Sequence, residues 1–573
     1  MSTAQHWDES VDLVVVGSGA GGMTAALVAA ANKAKVIVIE KSTLFGGTSA
    51  TSGGTIWVPA THLAEAVGQQ DTVEEGFQYI RALSAPNVTD ARIRAFTSTG
   101  REMVRWLEDN SEVRFRAVPY TDYHAEVQGG KLGFRTHDPI PMDGRKLGDD
   151  LYKMHPPSPA TIFLNRISWV VEETHPLLFR PPGWWKTLAR VLLRYYGDVF
   201  QRLHSSRDRF LTLGNALMGR FKLSLDARGV PLWLKTTLVD LVTEDGKVVG
   251  VVVDRDGRKM RIEARRGVVL AAGGFERNAE MRTAYLKGSD NPGWSGSQVN
   301  NTGDGIRLGE KLGAKLINMH SAWWSPSIKI PGEERARMVT FERALPGSIV
   351  VNQAGKRYQN EAASYHICGQ GMIEANKPGA GTMPSWMIFD SKYRAKFPVG
   401  PILPMVPDWM LASNVRSILY KANTWNDLAA KIGIPAQALT ETIEKFNAGA
   451  HRGKDPEFGR GDAAYDRYYG DHAQQPNPNL RALTEGPFYA VPLWPGDIGT
   501  NGGLDTNEYA QVLSADDRPI PGLYAVGNMA ATVMGYCYPG AGGTLGPAMT
   551  FGYIAARHAT HGCNESEVQQ AAQ

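Results

Sequence analysis

Gly17, Gly19 and Gly22 stand in the GxGxxG spacing that lets a backbone hold a pyrophosphate. The first glycine makes a tight turn, the second lets phosphates approach the backbone, and the third lets a helix lie close to a strand. Near the other end of the chain, the stretch GYCYPGAGGTLG (535–546) sets tyrosines beside bare backbone. Tyrosine is out of place in a flexible linker, and so many glycines are out of place in a packed core. That segment is the second candidate for chemistry.

The glycines need a frame. The valine-rich run Val11 to Val16 reads as a buried parallel strand. An alanine-rich helix over Met23 to Ala31 and a second strand over Lys35 to Ile39 follow, ending at Glu40. The helix N-terminus then faces phosphate, and Glu40 is placed to accept from ribose hydroxyls. A carboxylate there would repel an extra phosphate and argues against NADP. Lys41 opens the stretch KSTLFGGTSATSGGTIW, which holds Gly47, Thr48, Ser49, Ser52, Gly53 and Gly54. A loop of that composition can wrap a cofactor that extends past the pyrophosphate, so FAD is expected rather than NAD. GVVLAAGGFERN, with Ala272 and Gly273, and IPGLYAVGN, with Gly527 and Asn528, are strands that run into glycines and resemble flavin-contact segments. They lie far apart in the chain, so the FAD domain is expected to be discontinuous.

The expected class is α/β: a Rossmann-type FAD-binding domain with an inserted α+β catalytic domain. The boundaries read as 1–319 for the first FAD part, 320–486 for the catalytic domain and 487–573 for the second FAD part. Before the insert, LVDLVTEDGKVVGVVVDRDGRKMRIEARRGVVLAAGG alternates and carries two Asp-Gly turn signals, so it reads as a β-meander. NTGDGIRLGEKLGAKL reads as a glycine turn into a helix. TWNDLAAKIGIPAQALTETIEKFNAGA reads as two helices broken at Gly433 to Pro435.

A chain of 573 residues with 43% apolar and 21% charged residues is a folded protein too long for one ordinary core. A net charge of +3 gives no footprint for nucleic acid. Cys368, Cys537 and Cys563 show no CxxC and no metal spacing, which fits a reducing cytoplasm and no metal. The N-terminus lacks a signal-peptide pattern. No apolar run is long enough to span a bilayer, and the tail NESEVQQAAQ reads as frayed.

Taken together, GSGAGG, EKSTLFGGTSATSGG, GKRYQNEAASY, EFGRGDAAYDRYYGD, WPGDIGTNGG, GLYAVGN and YPGAGGTLGPAMTFGY resemble the 3-ketosteroid Δ1-dehydrogenases over essentially the whole chain. These belong to the succinate dehydrogenase and fumarate reductase flavoprotein superfamily. The resemblance implies 1,2-dehydrogenation of a 3-ketosteroid in sterol breakdown, with noncovalent FAD, because the FGGTSATSGG loop lacks a histidine for covalent attachment. It further implies that Tyr365 removes the proton from carbon 2, that Tyr123 supports it, and that Tyr538 and the Gly542 amide bind the ketone. Glycine at 542 is expected because a side chain would keep the ketone from the amide. Gly543 and Leu545 join the cofactor residues. The electron acceptor would be a quinone or a carrier protein.

Three alternatives stay open. A 4,5-dehydrogenase would share the FAD domain. A fumarate-reductase-like enzyme would need dicarboxylate-binding arginines, but Tyr365 and the Tyr538 segment stand at those places, and DIGTNGG lacks the expected histidine. A flavin- or lipid-binding carrier would not need the tyrosines. Tyr536 and Cys537 read as structural and inert. His124 and His366, taken to lie on strands, would face away from their neighbouring tyrosines.

One stretch is explained by no cofactor. Within 180–210, a helix from Trp184 to Leu203 would carry Lys186, Arg190, Arg194 and Arg202 as a basic stripe. Leu188, Val191, Leu192, Tyr195, Val199 and Leu203 would lie opposite. That pattern, with its aromatic residues, suits peripheral contact with an anionic membrane, and hence a cytoplasmic enzyme at the inner face of the cell membrane.

Overall fold

The computed structural model describes residues 6–561. Cys563 and the NESEVQQAAQ tail lie outside the described residues.

The glycine-rich N-terminus forms the frame expected of it. Strand Glu9–Val16 runs parallel to Val36–Ile39 on one side and to Arg258–Leu270 on the other. Arg258–Leu270 in turn runs parallel to Pro519–Ala525, so residues from both ends of the chain share one eight-stranded sheet. Helix Ala20–Ala31 starts earlier than expected, directly after Gly19. It packs against the last described helix, Leu545–His561. The approach is close because glycines face it: a Cβ on Gly21 would come 2.7 Å from the Ala548 carbonyl oxygen, and one on Gly552 would come 2.3 Å from that of Gly21.

The meander is present as Thr236–Glu244, Lys247–Arg255 and Arg258–Leu270, paired antiparallel. Its two turns put both central residues at positive φ, Asp245 and Gly246 at 49° and 79°, Asp256 and Gly257 at 50° and 84°. That is the turn geometry Asp-Gly favours between twisted strands. The two later helices end and restart as expected, at Trp425–Ile432 and Ala436–His451, with Gly433 left-handed between them.

The catalytic unit is built on a six-stranded sheet. Its central strand is Phe488–Thr500, which pairs with Ala322–Ile328, Ser385–Phe389 and Tyr420–Ala422. The expected boundary at 486 therefore falls too early. This strand belongs to the catalytic sheet, and the return to the FAD sheet comes after Thr500. A third, small sheet pairs Ile56–Trp57, Thr136–Pro139 and Phe115–Val118.

The basic segment also differs from expectation. It is two helices, Trp184–Tyr196 and Val199–His204, interrupted at Gly197 and Asp198. Val191 and Tyr195 are buried, with Ile167, in a small cluster of their own. Arg194 pairs with Glu173 at 2.7 Å, and Arg202 donates to the Ser206 carbonyl at 2.8 Å and lies over the Tyr195 ring. Lys186 and Arg190 remain exposed. The large apolar side chains turned outward are Trp185, Leu193, Tyr196, Val199, Phe200 and Leu203. The expected two-faced helix fails because its buried side faces the protein's own loop, 163–169, and that loop's neighbours take up two of the four cations.

Candidate active site

One cavity of about 690 Å³ joins the two candidate regions. Its cofactor end is lined by Gly17, Gly19, Gly22, Glu40, Lys41, Gly47, Thr48, Ser49, Ser52, Gly53, Gly54, Ala272, Gly273, Gly527, Asn528 and Leu545. Gly543 is not among the lining residues. Its N–H bonds to the Gly540 carbonyl at 2.9 Å and its Cα backs onto Pro539, so it closes the turn instead.

Local structure explains these positions. Gly17 has φ 105°, and a Cβ on Gly22 would sit 2.3 Å from the Gly17 carbonyl oxygen. Ser49 Oγ accepts from the Ala20 N–H at 3.1 Å and so fixes the wrapping loop to the helix start. Glu40 accepts from the Ser18 hydroxyl at 2.7 Å and from the Ser42 N–H at 2.9 Å, which orients its carboxylate. Lys41 pairs with Asp304 at 2.6 Å. Thr48 is held from behind by Asn301, whose amide also bonds buried Glu276 at 2.7 Å. A Cβ on Gly47 or Gly53 would meet no protein atom; both line the cavity, so it would stand in the space a wrapped cofactor fills. The residues present fit FAD.

The other end is aromatic. Tyr538 is stacked on Tyr123 with ring centroids 5.4 Å apart, and Tyr365 stands edge-on to both, at 5.4 Å and 5.5 Å. Trp323 covers Tyr538 edge-on at 5.0 Å. Three remote segments deliver these rings. Tyr365 is the first residue of helix Tyr365–Glu374, capped by the Ser364 side chain. Tyr538 and Gly542 lie in the turn before Leu545–His561. The Pro539 carbonyl accepts from both the Tyr123 N–H at 2.9 Å and the Tyr79 hydroxyl at 2.7 Å, which ties this turn to the Tyr123 loop. Asp122, next to Tyr123, accepts from the Trp57 indole at 2.7 Å and from Arg135 at 3.0 Å. Burial raises its carboxyl to about 6, against the pull of Arg135.

Burial pushes the phenol of Tyr365 well above its ordinary range, and the nearby Tyr538 adds to this, while a hydrogen bond with Tyr123 pulls the other way. Tyr538 is raised by burial and eased by the hydroxyls of Tyr365 and Thr544. The Gly542 N–H has no hydrogen-bond partner among the described residues. Gly542 has φ 98°, and a Cβ there would come 2.4 Å from the Ile56 carbonyl carbon. Glycine is thus required by the strand behind the turn; the expected reason, clearance for a ketone in front, is not the steric one.

Neither His124 nor His366 lies on a strand. His366 is the second residue of the Tyr365 helix, bonds the Trp324 N–H at 3.3 Å and the Tyr536 carbonyl at 2.8 Å, and packs 6.0 Å from the Tyr538 ring. Burial lowers it to about 4, so it is a neutral brace, structural as expected but for a different reason. Tyr536 sits against His320 at the surface, and burial raises the Cys537 thiol to about 12, which leaves it inert. Sequence reading missed His155, Gln298, Asp304, Tyr465, Tyr469 and Asp138. All but Tyr465 line the cavity. Tyr465 and Tyr469 stand in EFGRGDAAYDRYYGD and Asp304 in the turn NTGDGIRLGEKLGAKL, but neither stretch assigns them a role; His155, Gln298 and Asp138 stand in no motif and reach the site by tertiary packing alone.

The chain matches the family model described as FAD binding domain over residues 12–545. It is 40% identical to 3-oxosteroid 1-dehydrogenase of Mycolicibacterium smegmatis, covering 96% of this chain and 97% of that one. It is similar to the crystal structure of 3-ketosteroid delta1-dehydrogenase from Sterolibacterium denitrificans in complex with 1,4-androstadiene-3,17-dione, at 41% identity and TM-score 0.92, covering 96% and 99% of the two chains. Against 3-ketosteroid-delta4-(5alpha)-dehydrogenase from Rhodococcus jostii the identity is 23% and the TM-score 0.67, with 98% and 99% covered, a likeness of fold alone.

Proposed function

The chain belongs to the FAD-dependent 3-oxosteroid 1-dehydrogenases, and we propose that its tyrosine cluster desaturates the 1,2 bond of a 3-keto-4-ene steroid with Tyr365 as the base. Bound FAD supplies the oxidant that takes the hydride from carbon 1. Every other demand of the reaction falls on the protein. Removing a proton from carbon 2 leaves negative charge on the carbon 3 oxygen. Tyr538 and the Gly542 N–H are the donors for that oxygen, and such donors are worth roughly 3–4 kcal/mol each. Tyr365 takes the proton, and Tyr123 stabilises the phenolate through its hydrogen bond. The carrying observation is the packing of three phenols, each ring within 5.5 Å of the next, beside a glycine amide. The test is direct: FAD-loaded protein should reduce an artificial dye only when a 3-ketosteroid is added, and the product should be the 1,4-diene. Dye reduction without steroid, or none with it, would sink the reading.

We further infer peripheral docking at the inner face of the cell membrane through the 184–204 helices. The support is now apolar rather than basic: Phe200 is 85% exposed, Leu203 79% and Leu193 72%. The preceding helix, Val171–Phe179, lines the cavity with Thr174, His175, Leu178 and Phe179, so a bilayer beneath these helices would be close to the path of a lipid-soluble substrate. Among the described residues no helix is long and apolar enough to cross a membrane. Leu193→Asp with Phe200→Asp should release the enzyme from anionic liposomes; unchanged binding would remove the inference.

A further inference from the structure

Strand Thr136–Pro139 is buried along its whole length, and its residues alternate between two faces. His137 points one way, with Nε2 2.6 Å from the Thr61 hydroxyl. Thr136 points the other way and donates from Oγ1 to the Ala541 carbonyl at 2.8 Å. That face is therefore applied to the turn that carries Tyr538 and Gly542. Asp138 shares it, two residues and about 7 Å further along the strand, and it lines the cavity.

Asp138 is 2% exposed, and its Oδ1 has no hydrogen-bond partner. Buried carboxyl oxygens are costly to leave unpaired, and native proteins keep them where something else completes them. The natural partner declines the role. Arg116 faces Asp138 across the strand pair, but its guanidinium pairs with Glu172 at 2.6 Å. The other titratable groups around Asp138 are the phenols of Tyr120, Tyr468 and Tyr469, all of which line the cavity and are raised in part by its charge. Between Arg116, which favours the carboxylate, and Glu172, which opposes it, burial dominates and lifts Asp138 to about 7. Near neutrality much of it is an uncharged acid with an O–H to donate.

We propose that Asp138 is a second polar anchor of the substrate cavity, hydrogen-bonding a neutral oxygen, ketone or hydroxyl, carried by the steroid at carbon 17. The inference rests on the 3-ketosteroid reading and deepens it: Asp138 lines the same cavity as Tyr538 and Gly542, and with the carbon 3 oxygen at those two donors the anchor requires the far end of the ring system to reach the Asp138 wall. The site selects steroids oxygenated at both ends over those bearing oxygen only on ring A. The reason is that a buried group built to pair with a substrate oxygen is left unpaired by an analogue that lacks it. It also distinguishes ketone from hydroxyl by pH. A ketone needs the acid form as donor, whereas a hydroxyl can donate to the carboxylate.

The experiment uses FAD-loaded wild type, Asp138→Val and Asp138→Asn with three probes: androst-4-ene-3,17-dione, its 17β-hydroxy analogue and the 17-deoxy androst-4-en-3-one. Valine suits a strand, and FAD content reports whether each variant is intact. Asp138→Val should cut the wild-type preference, in kcat/KM, for the dione over the deoxy steroid by about 10-fold. Asp138→Asn should restore most of it, because the amide still donates. In wild type, KM for the dione should climb as pH rises through about 7, KM for the 17β-hydroxy steroid should not, and Asp138→Asn should abolish the difference. If Asp138→Val alters all three steroids alike, or none, the anchor is wrong. If wild type turns over none of them, the functional reading itself fails and this inference goes with it.

Discussion

At the cofactor end of the cavity, the walls are mostly backbone: glycines at 17, 19, 22, 47, 53, 54, 273 and 527. At the steroid end they are side chains, chiefly Tyr123, Tyr365 and Tyr538, with Asp138 further along the wall. The difference decides what each end can tolerate. At Gly17, Gly22 and Gly54 this wall has no slack, because an added Cβ would meet another stretch of main chain, which can move only if the fold moves; at Gly47 and Gly53 it would stand in the space of the cofactor itself. A side-chain wall can lose one hydroxyl and keep its shape. The cofactor end should therefore fail completely or not at all, whereas the steroid end should fail by degrees with FAD retained.

The largest effect tests the backbone end. Gly22→Val places a Cβ 2.3 Å from the Gly17 carbonyl oxygen, so the variant should carry no FAD, read from flavin absorbance. A yellow, loaded Gly22→Val protein would break the comparison. Next comes Tyr365→Phe, which should keep FAD and steroid binding and lower turnover by about 100-fold or more, the scale of a lost general base. If that variant loses FAD instead, the two ends are not independent. Tyr538→Phe removes one ketone donor and should lower kcat/KM by roughly 100-fold, again with FAD intact; a smaller loss would leave the ketone to Gly542 alone.

The smallest effect sharpens the base assignment. A phenol acts as a base only when ionised, and Tyr365 is held well above the ordinary range. Turnover should therefore rise with pH through the neutral and alkaline range, approaching its limit only near the phenol's own ionisation. Tyr123→Phe removes the hydrogen bond that eases Tyr365 downward, so the rise should move to higher pH, with about tenfold less activity at neutral pH for each unit of displacement. A profile identical to wild type would take Tyr123 out of the mechanism.

A substitution at Gly542 would not separate the two ends. The missing side chain of this glycine faces Ile56 and Trp57, so a bulky residue there would disturb a strand before it told anything about a ketone.

What the sequence carried was local. GxGxxG, the Asp-Gly turns and the glycine break at Gly433 each specify a backbone shape within a few residues, and each is found where it was read. The tyrosines were legible through family resemblance, since a phenol alone carries no spacing rule. The domain boundary near 486 was misread because Phe488–Thr500 follows the last helical pattern, yet it pairs with strands on both sides. Strand pairing is a contact between distant segments and leaves no mark on either one. The 184–203 stretch was misread for a related reason: helical periodicity shows which residues share a face, but not which face the rest of the protein covers. Arg194 looked free because Glu173 lies on another helix.

By itself, then, the chain determined a dinucleotide-type frame, a flavin-wrapping loop and a discontinuous cofactor domain, because glycine, alanine and β-branched residues act on their own backbone. Tertiary structure alone decided that Pro539 would bind the Tyr123 loop to the Tyr538 turn, that His366 would brace rather than face away, and that Asp138 would stand unpaired in the cavity wall. Those outcomes depend on which surfaces meet. Meeting is settled by burying the whole core at once, a sum over many weak contacts that no single segment contains.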